Sequence, residues 1–349
     1  MGPILVIFNT NQVLFNGDSI KEKPIAGSET AVINMARELA KLNWEVYVFC
    51  PCDTPGVYDG VTYKHYTGIV EFMMKETVHT FISSRNTSPF TKSLGVKNAV
   101  YWSHDVPDES NIKALITAQE NIDIMFFLSK AHTRVWLEQS LGKLDLNKAV
   151  ITRNGVDEAL FNVSNFKKVR GSCVYTTTPF RGLDILLKIW PIIKQKVPWA
   201  TLQVYSSMGI YGLVDGYDTK RLFRVAREIK GVTLCKPVTQ DKLAKIMLEA
   251  DVMLYPNHFF ETSCITAMES IKAKTPVITS DFGALPETIL PDEGVLIPAD
   301  PEHYEERFVQ ATVKMLTDKE YRLSFCHNNR DMSWELIAIE WDILFRGVN

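Results

Sequence analysis

The sequence predicts an α/β protein made of two doubly wound parallel-sheet domains. Short apolar, β-branched or aromatic runs alternate with helical patterns almost from end to end. The alternation falls into two series of domain size, with a polar break at NVSNFKKVRGS (162–172) between them. The length of 349 residues is enough for two domains, each with its own core.

In the first half the strand candidates are ILVIFN (4–9), EVYVFC (45–50), VTYKHYT (61–67), TFISSR (80–85), NAVYWSH (98–104), DIMFFLS (123–129) and AVITRN (149–154). Helices are expected over SETAVINMARELAKLN (28–43) and KAHTRVWLEQSLG (130–142). In the former, Val32, Met35, Ala36, Leu39 and Leu42 recur at helical spacing and make one apolar face. The second half offers CVYTTT (173–178), TLQVYS (201–206), VTLCKP (232–237), VMLYP (252–256), PVITS (276–280) and GVLIP (294–298) as strands. Between them lie helical patterns at 181–195, 219–230, 241–250 and in FETSCITAMES (260–270). HYEERFVQATVKML and WELIAIEWDILF read as helices with no strand to follow. Strand–helix alternation of this kind gives parallel sheets with right-handed crossovers.

Composition narrows the function. With 46% hydrophobic residues, 23% charged residues and a net charge of −3, the chain offers no long-range field for nucleic acid or an anionic membrane. The six cysteines lack metal-type spacing and read as reduced, which fits a cytoplasmic protein. MGPILVIFN has no basic n-region and is expected to be a strand, and no apolar run has the length of a membrane-spanning helix.

Ligands of open α/β sheets sit at the carboxyl ends of the strands, so the loops there carry the candidates. G-x-G-x-x-G is missing after the first strand, and SSMGIYG holds only Gly209 and Gly212, which disfavours a nicotinamide dehydrogenase. Neither a P-loop nor an Asp-x-Asp metal clamp occurs. In AGSET (26–30), Gly27 permits close backbone approach to a ligand and Ser28 is a candidate N-cap. YWSHDVPD (101–108) sets His104, a residue that exchanges protons near neutral pH, at a strand end. TTTPFRGLD (176–184) offers hydroxyls and Arg181 to a phosphate. In FETSCITAMES, Thr262 or Ser263 is expected to cap a helix whose N–H groups form an anion site. Glu261 precedes that helix, and Glu269 falls on its apolar side, where burial is costly unless hydrogen-bond donors meet it.

At these residues the chain resembles a retaining glycosyltransferase of the GT-B fold, and is most similar to glycosyltransferase family 4. The resemblance runs from about residue 25 to about 345 and is strongest in HFFETSCITAMESIKAKTPVITSDFGALPETI (258–289). AGSETAVINMARELAKLNWEVYVF, SHD, FFLSKAHTRVWLEQSLG, ITRNGVDEALF and FRGLDILLKIWP match family patterns in order. It implies Rossmann-like domains at 1–166 and 167–330 facing across a cleft, with a C-terminal helix (331–349) crossing back to complete the first. It also implies roles. Glu261 would hold the donor sugar, and the N–H groups of Thr262, Ser263, Cys264 and Ile265 its diphosphate. Glu269 would hold the ribose. Gly27 and Ser28 would approach the diphosphate, and His104 would lie beside sugar and acceptor. Arg181 stands where the family has a diphosphate lysine, and Thr176 near where it has an arginine. Base recognition is expected around CKPVTQ (235–240), at Val238. Lys272-Ala273-Lys274 replaces the family's thiol-small-glycine run.

The expected activity is transfer of a sugar from a UDP- or GDP-sugar to an acceptor hydroxyl with retention, without metal or other cofactor. The acceptor would be a glycan, a lipid-linked molecule or a small molecule. Two alternatives stay open: a non-catalytic nucleotide-sugar-binding subunit, and a GT-B nucleotide-sugar epimerase.

Overall fold

The computed structural model describes residues 2–163, 166–326 and 330–347. The chain divides into two compact units, 1–155 with 333–349, and 156–332. The division precedes the polar stretch expected to carry it, because that stretch is bound to the second unit. The Lys168 ammonium donates to the Met247 and Ala273 carbonyls at 3.2 and 2.9 Å, and the Val169 N–H to the Glu249 carbonyl at 2.8 Å.

The first unit holds β1 (Ile4–Asn9), β2 (Glu45–Cys50), β3 (Gly56–Tyr58), β4 (Val61–His65), β5 (Val78–Ser84), β6 (Asn98–Trp102), β7 (Ile124–Phe127) and β8 (Ala149–Ile151). They pair in the order β3-β4-β2-β1-β5-β6-β7-β8, all parallel except β3, which returns along β4 as an edge hairpin. The sequence reading missed β3, three residues too short for an apolar period. Its helices are α1 (Ser19–Glu22), α2 (Gly27–Lys41), α3 (Ile69–Lys75), α4 (Glu109–Ala118) and α5 (Lys130–Gln139). On α2 the stripe Val32, Met35, Ala36 and Leu39 is fully buried, as its spacing requires.

The second unit holds β9 (Ser172–Tyr175), β10 (Thr201–Tyr205), β11 (Val232–Cys235), β12 (Val252–Tyr255), β13 (Val277–Ser280) and β14 (Gly294–Ile297). Its helices are α6 (Leu183–Lys196), α7 (Tyr217–Glu228), α8 (Gln240–Glu249), α9 (Ile265–Lys272), α10 (Leu285–Thr288), α11 (Tyr304–Thr317) and α12 (Lys319–Leu323). The order β11-β10-β9-β12-β13-β14 is that of a dinucleotide-type doubly wound sheet, and every described pair is parallel. Strands β9 and β12 are buried on both faces, which explains why they read as unbroken apolar runs.

The last helix, α13 (Trp334–Arg346), belongs to the first unit and packs on α2. Trp334, Ile337, Ala338, Trp341 and Phe345 form its buried stripe. The Trp341 indole stacks on Phe126 with ring centres 4.5 Å apart and donates to Thr152 Oγ1 at 2.9 Å. Trp44 donates to the Asp342 carboxylate at 2.6 Å. A large apolar side chain with its one polar atom satisfied fixes the helix in register.

Candidate active site

In the second unit the strand order reverses between β9 and β12, and the loops leaving these two strands carry Thr176, Arg181 and Glu261 among the expected donor residues. Two glycines let these loops and the one leaving β13 meet. Gly182 has φ +106°, and a Cβ there would stand 2.0 Å from the Pro256 carbonyl oxygen. Gly283 has φ +65°, and a Cβ there would stand 2.6 Å from both the N and O of Glu261. Neither position accepts a side chain, on backbone conformation or on space. Gly283→Ala is therefore expected to cost at least about 1–3 kcal/mol and to displace Glu261. Chemical denaturation and a crystal structure of the variant check this, and an unchanged midpoint would contradict it.

These approaches bring Arg181 and Glu261 together. Arg181 Nη1 donates to Glu261 Oε1 at 2.6 Å, and the Tyr255 hydroxyl donates to the same oxygen at 2.5 Å. The carboxylate is 4% exposed and the guanidinium 22%, so the pair is shielded from water. Burial opposes the charge of Arg181, yet Glu261, followed by Tyr211 and Tyr255, holds its pKa above the usual range. Burial first, and Glu261 next, push the Tyr255 phenol well above its ordinary value, so it stays a donor. The guanidinium lies over Phe259, 4.3 Å from the ring centre, and Nη2 reaches the Tyr211 hydroxyl at 3.4 Å. Arg181 Nε and Thr178 Oγ1 are buried without a hydrogen bond.

Helix α9 starts at Ile265 with Cys264 as N-cap and no side-chain cap, which corrects the expectation of a Thr262 or Ser263 cap. The cause is the anchoring of Glu261. Its side chain is bound by Arg181 and Tyr255, and its carbonyl accepts from the Ala284 N–H at 2.8 Å. Thr262, Ser263 and Cys264 then span the distance from that anchor to the first turn, all three buried. Thr176, at the end of β9, places its hydroxyl 2.6 Å from that of Thr266 and so ties the strand to this turn.

Glu269 is 4% exposed on α9 and accepts from Gln240 Nε2 at 2.6 Å. Burial pushes its pKa up to about 7, with the Gln240 hydrogen bond opposing. The donor that meets this buried acid in the chain itself is the first residue of α8, two residues after the half-buried Val238. After α9, Lys274 occupies the left-handed conformation, φ +54°, that a glycine usually takes.

In the first unit, Gly27 opens α2 with Ala26 as its N-cap, so Ser28 is not the cap it was expected to be. The Ser28 hydroxyl is engaged instead: it donates to Glu29 Oε2 at 3.0 Å and accepts from Arg85 Nη1 at 3.3 Å. His104 follows β6 with its ring 4.4 Å from that of Trp102. Burial, then Arg85 and His132, keep its pKa well below the ordinary imidazole value. His132, which showed no functional context in the sequence, is fully buried; its Nδ1 accepts from the Leu128 N–H at 3.1 Å and its Nε2–H donates to the Asp105 carbonyl at 2.8 Å.

Sequence reasoning missed Tyr255, Tyr211, Gln240 and Arg85. Arg85 was within reach, because it closes TFISSR just as His104 closes NAVYWSH. Tyr211 carried no signal, because its role depends on a loop placed by another strand.

Residues 172–318 match the family model described as Glycosyl transferases group 1. No curated protein matches the chain. Among solved structures, a sucrose-phosphate synthase from Thermosynechococcus elongatus is similar with TM-score 0.77 and 17% identity, over 100% of this chain and 99% of that one. The catalytic domain of starch synthase IV from Arabidopsis thaliana, bound to ADP and acarbose, gives 0.75 and 12%, over 99% of each chain. HepE from Anabaena, in complex with UDP and glucose, gives 0.72 and 13%, over 99% and 100%. At these identities the likeness shows the fold, two Rossmann-like parallel-sheet units of the GT-B type. No helix among the described residues is long and apolar enough to cross a membrane.

Proposed function

We propose that the protein is a nucleotide-sugar-dependent glycosyltransferase acting with retention of anomeric configuration and without a metal. The observation that carries this reading is the Arg181–Glu261–Tyr255 cluster beside the N-terminus of α9, at the reversal of strand order in the second unit. A diphosphate takes the α9 N-terminus and the buried, unbonded donors Arg181 Nε and Thr178 Oγ1, whose burial is unfavourable without a partner. Glu269 accepts from the ribose, and Glu261 from sugar hydroxyls. Val238, in the loop before α8, serves the base. The family model and the UDP- and ADP-bound neighbours support the same chemistry.

In the step itself, the bond from the anomeric carbon to the diphosphate oxygen breaks as positive charge develops on the sugar. Arg181 and the α9 dipole stabilise the leaving diphosphate. The acceptor oxygen bonds to the same face, and its proton passes to the departing phosphate. The chain needs no nucleophile of its own.

A panel of UDP-, GDP- and ADP-sugars, read by thermal shift and nucleotide release, tests the reading. A ligand at about 100 times its Kd is expected to add about 2.7 kcal/mol of stability. Release with an acceptor present is expected to survive chelation by EDTA. No response to any member would refute the reading. One observation favours a second reading, binding without transfer: the charge of Arg181 is already spent on Glu261. Binding with no nucleotide release under any acceptor would establish that one.

A further inference from the structure

We propose that the carboxyl edge of the first unit's sheet takes a neutral, polyhydroxylated acceptor, with the Arg85–Asp105 pair as its specificity-determining element. The inference rests on the glycosyl-transfer reading and names the acceptor class within it. Strand order in this unit reverses between β1 and β5, where an open sheet offers its crevice. Arg85 stands there with φ +68°, a conformation that costs a non-glycine residue energy and recurs at functional sites. It forks onto Asp105, Nε to Oδ2 at 2.5 Å and Nη2 to Oδ1 at 2.7 Å, and its remaining Nη1 reaches Ser28 Oγ at 3.3 Å. Both partners stay open to a ligand, Arg85 at 32% exposure and Asp105 at 45%.

The pair is held from behind. The Asp105 carbonyl accepts from His132 Nε2 at 2.8 Å and from Trp136 Nε1 at 3.2 Å. Both donors are fully buried, so the carboxylate is set in place before any ligand arrives.

Charge then selects the class. In this cluster the Arg85 charge is met by Asp105, and a second carboxylate, the buried Glu29, is bonded by Asn11 Nδ2 at 2.8 Å and by the Ser28 hydroxyl that Arg85 also reaches. A phosphate or carboxylate, which arginine forks otherwise recognise, would have to compete with Asp105 for this fork. Uncharged polar groups of these strand ends include the amides of Asn11 and Asn86 and the hydroxyls of Thr10 and Ser28. Carboxylate, guanidinium and amide groups in one place match the alternating donors and acceptors of sugar hydroxyls. An apolar acceptor would cover their exposed edges without supplying hydrogen bonds in place of water.

The purified full chain is assayed, with whichever nucleotide sugar it turns over, on glucose, maltose, their 6-phosphates and octanol. The neutral sugars are expected to lead by at least about tenfold in kcat/KM, a difference of about 1.4 kcal/mol. Asp105→Asn, which releases the Arg85 charge, is expected to reduce that preference at least tenfold by lowering KM for the phosphorylated acceptors. A wild-type preference for a 6-phosphate or for octanol would overturn the inference while leaving glycosyl transfer intact. An unchanged preference in the variant would do the same. Should Asp105→Asn not fold, Arg85→Lys takes its place, and retention of the wild-type kcat/KM for neutral sugars counts against the inference. If no nucleotide sugar is turned over, the functional reading fails. Saturation-transfer NMR with maltose then decides the site, where signals lost in Arg85→Gln support it and their absence in the wild type overturns it.

Discussion

Glu261→Gln is expected to slow glycosyl transfer by about 100- to 1,000-fold, the range for losing one electrostatic contact to a transition state. The same change is expected to tighten binding of a free nucleoside diphosphate. The two effects have one source. In the wild type the buried Arg181 guanidinium is neutralised by Glu261 at 2.6 Å. The glutamine amide still accepts from Tyr255 and Arg181 but carries no charge, and an uncompensated buried cation costs about 3–5 kcal/mol. The ligand-free variant therefore melts below the wild type, and UDP restores the difference by supplying the missing anion. A hydrogen bond to a charged group is worth about 1.5–3 kcal/mol, so UDP affinity is expected to rise at least about tenfold. Calorimetry with UDP and a transfer assay on the same sample read both effects. Full turnover in the variant, or weaker UDP binding, would remove Glu261 and Arg181 from the roles given them.

Glu269→Gln is expected to be more stable than the wild type at pH 8 and nearly indistinguishable from it at pH 4. Burial raises the Glu269 pKa to about 7 from an ordinary 4.5. A raised carboxyl pKa means the folded chain holds the proton that the unfolded chain releases. Stability from this group is then complete below about 4.5 and is lost as pH rises toward 7, a penalty of about 3 kcal/mol at pH 8. Glutamine has no proton to lose and still accepts from Gln240, so the penalty vanishes. For a unit of this size the gain corresponds to about 6–12 °C in Tm. Nucleotide binding is expected to weaken in the same variant, because a neutral amide is a poorer acceptor for ribose hydroxyls. Melting at the two pH values is the measurement, and an equal offset at both would show that Glu269 is not buried as an acid. Retention of this acid at a cost in stability fits a group kept for a ligand.

Much of this was legible because local chemistry repeats along the chain. The apolar runs at 4–9 and 45–50 coincide with β1 and β2, and the stripe beginning at Val32 coincides with the buried face of α2. Glu261, Glu269 and Arg181 could be singled out because acids and cations at strand ends stand out against apolar surroundings. The direct bond between Arg181 and Glu261 could not, since it depends on Gly182 and Gly283 admitting backbone from other loops. The start of α9 was misplaced for a related reason: a serine and a threonine satisfy the local rule for a cap, and the long-range anchoring of Glu261 overrides it. Asp105 was quoted beside His104, but nothing nearby in sequence shows that Arg85, His132 and Trp136 converge on it.

The place of α13 in the first unit has a temporal consequence. Residues 333–349 complete a unit whose other residues end at 155, so the whole of 156–332 is made between the two parts. At the roughly 5–20 residues per second of protein synthesis, that interval is about 10–35 s. During it the aromatic face of Trp102 and Phe126 lacks the cover that Trp341 later provides. The nascent chain must keep that face from other chains until its last helix leaves the ribosome. The first unit to be made is the last to close.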